Sequence, residues 1–411
     1  MAIQGLPARR AALKLIDAVL RRGETLDQAM SGATRDLLTT SDRALARALA
    51  GEVLRWLTDL DALIDSATKK RLPDDAKPRS VLRLMLAGWL RLETPPHAVV
   101  ATGLPLLTGG PRRLAHGVFS TLTKRGATLP AAPTLPEEVM ERWGERAGAV
   151  AAGLAVPPPL DLGLRNAGET ERWAQELGGE SLASGHVRLA RGSAIESLPG
   201  FEEGGWWVQD FAASLPARLL GEGKGRKVLD LCSAPGGKTL QLAAVGWEVT
   251  TLDISDARLE RVQQNLTRTG LSAEIIAADA LTWQPDVPFD AILLDAPCTA
   301  TGTCRRHPDV LHRIHDRQIA EMAEFQAALL ARASGWLKPG GRLVYAVCSL
   351  ECEEGEEVAG KCPLPPDPIT AGELPAGLTP TPEGWLRTDP GMLPEKGGMD
   401  GFFIARFRAT A

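Results

Sequence analysis

From residue 226 onward the chain alternates short apolar runs with helical stretches, and no other feature restricts its fold so strongly. The runs are KVLDLCSA, EVTTLDIS, AEIIAADA, FDAILLDA and RLVYAVCSL. Between them lie KTLQLAAVG, DARLERVQQNLTRTG and DRQIAEMAEFQAALLARASGWL, whose apolar residues recur at helical spacing. Strands that are apolar throughout are buried on both faces, which requires helices above and below a parallel sheet. The expected architecture over residues 223–411 is a doubly wound, Rossmann-like α/β domain closed by the strand GFFIARFRA. Residues 363–396 hold nine prolines and little periodicity, and read as a surface connection.

The first third of the chain has a different period. In SDRALARALAGEVLRWLTDLDALIDSATKK, Leu45, Leu49, Val53, Trp56, Leu57, Leu60 and Leu63 share one helical face behind a Ser41 cap. PRSVLRLMLAGWLRL is apolar around most of its surface, as a central bundle helix must be. Residues 1–128 are therefore expected to form an all-α bundle of about five to seven helices. Residues 129–222 follow the Pro-rich start of a linker, ATLPAAPTLP, with a helix at 136–155 and the strand candidates LDLGLRN, GHVRLA and GWWVQD. They are expected to form a linker helix and a small α+β bridging subdomain.

Charge divides along the same line. Residues 1–128 carry 20 Lys and Arg against 12 Asp and Glu, a net of +8, while the rest carries −13. A basic helical module joined to an acidic α/β domain suits a division in which the first holds a polyanion. No apolar run reaches the roughly 18 residues of a membrane span, and MAIQGLPARRAALKLIDAVL lacks the apolar block of a signal peptide. The six cysteines are then expected to be reduced thiols in a cytoplasmic protein, which excludes a disulfide scaffold and a membrane protein. None forms a C-x-x-C pair, and His307, His312 and His315 complete no familiar zinc spacing, so no metal site is expected.

VLDLCSAPGGKT runs from a strand through a Gly-rich turn into a helix, the place where open α/β sheets bind ligands. It is neither G-x-G-x-x-G nor a Walker A loop, which disfavours NAD and ATP. Each following strand ends in an acid: Asp253, Asp279 and Asp295. One such carboxylate suits a ribose diol. A second suits an adenine amino group. Singly each would read as a turn or cap residue. Together they describe an adenosine without polyphosphate whose remaining groups are cationic, which is S-adenosylmethionine.

Cys298 ends the fourth strand and Cys348 the fifth, so both thiols are expected at one crevice. Carbon 5 of a pyrimidine is a poor nucleophile. A thiolate added at carbon 6, with a partner at N3, makes carbon 5 reactive, and a base must later remove its proton. Nucleophile, N3 partner and base map onto one cysteine, Asp295 and the other cysteine, with Lys238 holding the base or neutralising charge. The residues alone permit either order of the thiols.

At DLCSAPGGKT, DAPCTATGTCRRHPD, VCSLECEEGEE and DGFF, with VQDFAASLPARLL before them, the chain resembles the RNA cytosine-C5 methyltransferases that use two cysteines. LRLMLAGWLRLETPPHAVV and the helices around it resemble a NusB-type RNA-binding bundle. The pairing is similar to the bacterial 16S rRNA methyltransferase B (Sun/Fmu) type. The resemblance implies cofactor contacts from Cys232, Ser233, Ala234, Pro235, Gly236, Gly237 and Lys238 and from Asp253, Asp279 and Asp295. It makes Cys348 the nucleophile and Cys298 the residue that assists release. Val347 stands where the family usually has Thr. Arg305 and Arg306 are expected at RNA phosphate. The expected reaction is methylation of a cytosine in an exposed loop of 16S rRNA by a monomer. The same reaction on tRNA would call for a tRNA-binding appendage, and none is apparent. A non-catalytic NusB-like RNA-binding factor has no use for Cys298 and Cys348.

Overall fold

The computed structural model describes residues 4–192 and 195–410. Its contacts divide it into two units: the chain up to Val156 with Cys304–Ile314, and Pro157–Thr303 with the chain from His315 onward. No helix among the described residues is long and apolar enough to cross a membrane.

The first unit is all-α. α1 (Leu6–Arg22) carries a proline in its first turn and ends at Gly23, whose φ of 67° turns the chain back onto the carbonyls of Ala18 and Val19. α2 (Leu26–Ala33) opens on a capping box between Thr25 and Gln28. The long periodic stretch breaks into α3 (Thr40–Arg55) and α4 (Leu57–Ser66) at Trp56, which is buried beneath the Arg91 guanidinium. Thr39, not Ser41, caps α3, its Oγ1 accepting from the Asp42 N–H. α5 (Lys77–Leu90) is central, packed by α3, α4, α6 (Pro96–Gly103) and α7 (Gly109–Lys124). Its buried Arg83 grips Asp61 with two 2.7 Å bonds.

This unit runs past residue 128. α8 (Glu137–Trp143) and α9 (Ala147–Leu154) belong to it, because polar anchors hold the Pro-rich stretch against the bundle. Thr134 donates its N–H and Oγ1–H to Asp59 at 2.9 and 2.7 Å, and Arg91 donates to the Ala155 carbonyl at 2.8 Å. Cys304–Ile314 completes the unit. Cys304, Val310 and Leu311 are buried, and the His312 ring lies 2.6 Å from the Leu54 carbonyl.

The second unit opens with β1 (Leu160–Leu164), α10 (Thr170–Glu176), β2 (His186–Leu189) and β3 (Trp206–Val208), the strands forming an antiparallel sheet of order β2-β1-β3. Asp161 is its buried anchor. The Arg188 fork meets it at 2.6 and 2.8 Å, and the Phe211 N–H donates to it at 3.1 Å. Burial opposes its charge, but bonds from Arg188 and His186 hold the carboxyl far below the usual range. α11 (Phe211–Arg218) follows, capped by the Asp210 side chain.

The main sheet then forms from β4 (Lys227–Leu231), α12 (Gly237–Ala244), β5 (Glu248–Asp253), α13 (Asp256–Thr269), β6 (Glu274–Ala277) and β7 (Phe289–Asp295). After the excursion that carries α14 (Val310–Arg313) come α15 (Asp316–Ser334), β8 (Leu337–Val347), α16 (Glu356–Ala359), β9 (Leu386–Thr388) and β10 (Phe402–Arg408). The order is β6-β5-β4-β7-β8-β10-β9. The first five strands are parallel, and β10 runs antiparallel to both neighbours, so the sheet is mixed. Period two explains its two cores. Leu229, Leu231, Ile292 and Leu294 face Ala323, Leu329 and Leu330 of α15, while Val228, Ala291 and Leu293 face Phe211, Leu215 and Leu242. The Pro-rich stretch is not wholly superficial, since it supplies β9 and buries Ile369, Leu378 and Leu386.

Candidate active site

Between β4 and α12 the chain makes a tight loop. Cys232 and Gly236 have φ of 58° and 100°, and a Cβ on Gly236 would press to 3.1 Å from Val262. The loop is fastened to the end of β5: the Ala234 N–H donates to Asp253 at 3.2 Å, and the Arg258 guanidinium donates to the Ala234 carbonyl. Thr251 donates to Ser233, and Thr239 donates to the wholly buried Asp230 at 2.6 Å. Burial pushes the Asp230 carboxyl up to about 7 and the Cys232 thiol up to about 12. A thiol so raised is no nucleophile at neutral pH.

Asp253, Asp279 and Asp295 lie along one edge, at or just past the carboxyl ends of β5, β6 and β7. Asp253 is buried and accepts from the Ala234 and Ser255 N–H groups, whereas Asp279 is half-exposed and accepts from Leu281 N–H at 2.9 Å. Asp295 accepts from Lys238 Nζ at 2.7 Å. Burial works against the Lys238 charge, but Asp295 outweighs it, Cys348 adds to it, and the ammonium stays above its ordinary range. A hollow of about 330 Å³ opens beside the loop, lined by Ser233, Gly237, Lys238, Asp295 and Asn265 among others. Of the three acids only Asp295 lines this hollow, and a larger cavity of about 810 Å³ that shares its Trp207 and Gln209 touches none of them.

The thiols meet. Cys298 Sγ and Cys348 Sγ are 3.4 Å apart, both half-buried. Register explains it: Asp295 pairs with Ala346, so the chain ends of β7 and β8 leave the sheet together. The Gly302 N–H donates to the Cys348 carbonyl at 3.0 Å and binds the two loops. The bond with Cys348, burial, and the charges of Cys348 and Glu354 push the Cys298 thiol well above its ordinary range.

The basic pair after these loops differs from expectation. Arg305 is 1% exposed and Arg306 half-buried, and both lie in the helical unit, where Arg55 donates to the Arg305 carbonyl at 2.9 Å. A side chain withdrawn from water is not placed to meet phosphate, so Arg305 is removed from the RNA-facing set. Three residues escaped notice in the sequence. Asp230 reads as one strand residue among others, and Ile254, 70% exposed beside Asp253, reads as part of a strand. Glu354 is hidden in an acidic run.

Residues 217–408 match the 16S rRNA methyltransferase RsmB/F family, and residues 6–106 match the NusB family. Over 434 aligned residues, 97% of each chain, the protein is 34% identical to ribosomal RNA small subunit methyltransferase B of Klebsiella pneumoniae subsp. pneumoniae. The chain belongs to the small subunit rRNA methyltransferase B family. Among solved structures, PH0851 shares its fold with a TM-score of 0.71, at 21% identity over 99% of each chain. NSun6 from Pyrococcus horikoshii with SFG does so at 0.58 and 19%, over 67% of this chain and 98% of that one.

Members of this rRNA methyltransferase family depend on S-adenosylmethionine. The donor set fits that cofactor. Carboxylates dominate the strand ends, and the cations lining the hollow already have partners: Lys238 binds Asp295, and Arg268 binds the Phe201 and Trp206 carbonyls. Such a site favours a cationic adenosine over a polyphosphate.

Proposed function

We propose that this protein methylates carbon 5 of a cytosine in an exposed loop of 16S rRNA, with Cys348 as nucleophile. The observation that carries the reading is the 3.4 Å approach of two thiols beside the Lys238–Asp295 pair. Asp253 would hold the ribose diol, Asp279 the adenine amino group, and the exposed Ile254 one face of the adenine ring. S-adenosylmethionine, when bound, supplies the methyl group.

With Cys298 protonated, its S–H donates to the Cys348 thiolate, which faces the Lys238 ammonium. Cys348 adds to carbon 6, and the Lys238–Asp295 pair supplies the proton that N3 takes up. That addition turns Cys348 into a neutral thioether. The Cys348 bond and charge, two of the causes that raise the Cys298 thiol, vanish and its pKa falls; it yields its proton to water and becomes the base for the carbon-5 proton. Elimination restores the carbon 5–carbon 6 double bond, returns the N3 proton, and frees Cys348 as a thiolate.

RNA affinity is assigned to the helical unit, whose Lys69, Lys70, Arg112, Arg113 and Lys124 are exposed. The test is bisulfite sequencing of 16S rRNA incubated with the protein and S-adenosylmethionine. One newly protected cytosine is expected; protection of tRNA alone, or of neither RNA, would refute the reading.

A further inference from the structure

Between Glu351 and Glu357 stand five glutamates, a run that in sequence reads as a solvated acidic surface. Glu354 breaks the pattern. It is 0% exposed, and four donors end on its two oxygens. The Thr299 N–H reaches it at 2.9 Å and the Thr299 hydroxyl also donates to it, while Ser349 Oγ and Gln326 Nε2 donate at 2.8 Å. Among the described residues no Lys, Arg or His forms an ion pair with it, so neutral donors alone offset its burial.

The identity of those donors matters. Thr299 follows Cys298 and Ser349 follows Cys348. Gln326 donates as well to the carbonyl of Pro297, the residue before Cys298, at 2.8 Å. Tyr345 closes the network from β8, its hydroxyl 2.5 Å from the Glu354 carbonyl. One carboxylate thus holds both thiol-bearing loops by the residues adjoining their cysteines.

We propose that Glu354 is a positioning residue that sets the separation of the Cys298 and Cys348 thiols by clamping Thr299 to Ser349. The proposal rests on the reading of that pair as the reacting groups. Glu354 is buried away from solvent and acts through its neighbours. A general stabilising role predicts a lower melting temperature and nothing specific at the thiols. A clamp predicts a loss in the chemical step, since about 1 Å of misplacement costs on the order of a hundredfold. Glutamine at 354 keeps the volume but removes the charge, and the Thr299 and Ser349 hydroxyls must turn to accept from its amide, so both arms fall from charge-assisted to neutral bonds.

The experiment compares the parent with Glu354→Gln and Ser349→Ala in two assays. In the first, diamide takes two electrons and both protons from the thiol pair, becoming its hydrazine as one S–S bond forms, and peptide mapping follows the Cys298–Cys348 crosslink. The expected result is crosslinking slowed about tenfold or more in Glu354→Gln, less in Ser349→Ala. In the second, kcat for rRNA methylation falls about thirtyfold or more, while KM for RNA and Kd for S-adenosylmethionine stay within about twofold. Crosslinking and kcat of Glu354→Gln within about threefold of the parent would overturn the clamp. A parent that methylates no cytosine would refute the preceding reading instead, and the crosslinking assay would still decide the role of Glu354. Should Glu354→Gln fail to fold, Ser349→Ala carries the test, and parental rates in both assays would overturn the proposal.

Discussion

Along the carboxyl edge of the main sheet, the loops after β7 and β8 differ from those after β5 and β6. The first pair is tied together: the side chains of Cys298 and Cys348 meet, and those of Thr299 and Ser349 bond to each other and to Glu354. The second pair stays open. Asp279 is half-exposed with one N–H partner, and Ile254 offers a bare apolar side chain to water. The difference separates two tasks. Groups that form and break bonds gain from a fixed geometry set before the substrate arrives. Groups that hold an exchangeable cofactor need capacity left over for it.

The largest expected effect breaks the closed side. Cys348→Ala should lower methylation by about 10⁴-fold or more and give no protein–RNA adduct on a denaturing gel. Cys298→Ala should transfer methyl once, stall without its base, and show a shifted band. An adduct in Cys348→Ala instead would exchange the two roles. On the open side, Asp253→Ala should weaken S-adenosylmethionine binding about tenfold to a hundredfold by titration calorimetry, through loss of a buried acceptor. Ile254→Ala should cost only about fivefold, the share of one partly buried side chain. Equal cofactor affinity in both variants would make the loop after β5 merely structural.

Alkylation sharpens the contrast at the thiols. Because the Cys298 thiol is raised, its reactive form appears only well above pH 9, so iodoacetamide at pH 8 should leave it unmodified in the parent. The first cause of that shift is Cys348. Cys348→Ala should therefore lower the Cys298 pKa and speed its alkylation at the same pH. A still smaller effect lies outside the sheet. Reversing Lys69, Lys70 and Lys124 to Glu should reduce the slope of log affinity against log salt by about 2 while leaving cofactor affinity unchanged.

Much of this edge was legible in one dimension because period and punctuation are local. Apolar strands ending in Asp or Cys can be read without knowing their neighbours, and two adjacent strands bring Cys298 and Cys348 together. Burial of polar groups cannot be read that way. Nothing local distinguishes Glu354 from exposed Glu353 beside it, since its interior place depends on Thr299 and Gln326, far away in the chain. Arg305 misled for the same reason: its basic neighbourhood suggests RNA, while its packing partner Arg55 lies 250 residues earlier. The Pro-rich tract concealed β9, because edge strands this short carry no alternation to detect. The 129–156 stretch reads as a linker helix in sequence, and the bond of Thr134 to Asp59, 75 residues earlier, places it in the bundle.

The excursion at Cys304–Ile314 makes the helical unit a two-piece object in covalent order. Its hydrophobic interior is assembled from the N-terminal 156 residues and from eleven that arrive much later, with Cys304, Val310 and Leu311 buried. A protease cut at Val156–Pro157 would sever the backbone without parting the pieces, and the fragments should co-elute on size exclusion. Deleting the N-terminal helices, by contrast, strips the cover from those late residues and leaves an apolar scar on the remainder. Modularity here belongs to the packing and not to the order of the chain: the helical unit can be nicked free at one end, yet it cannot be trimmed away as a terminal appendage.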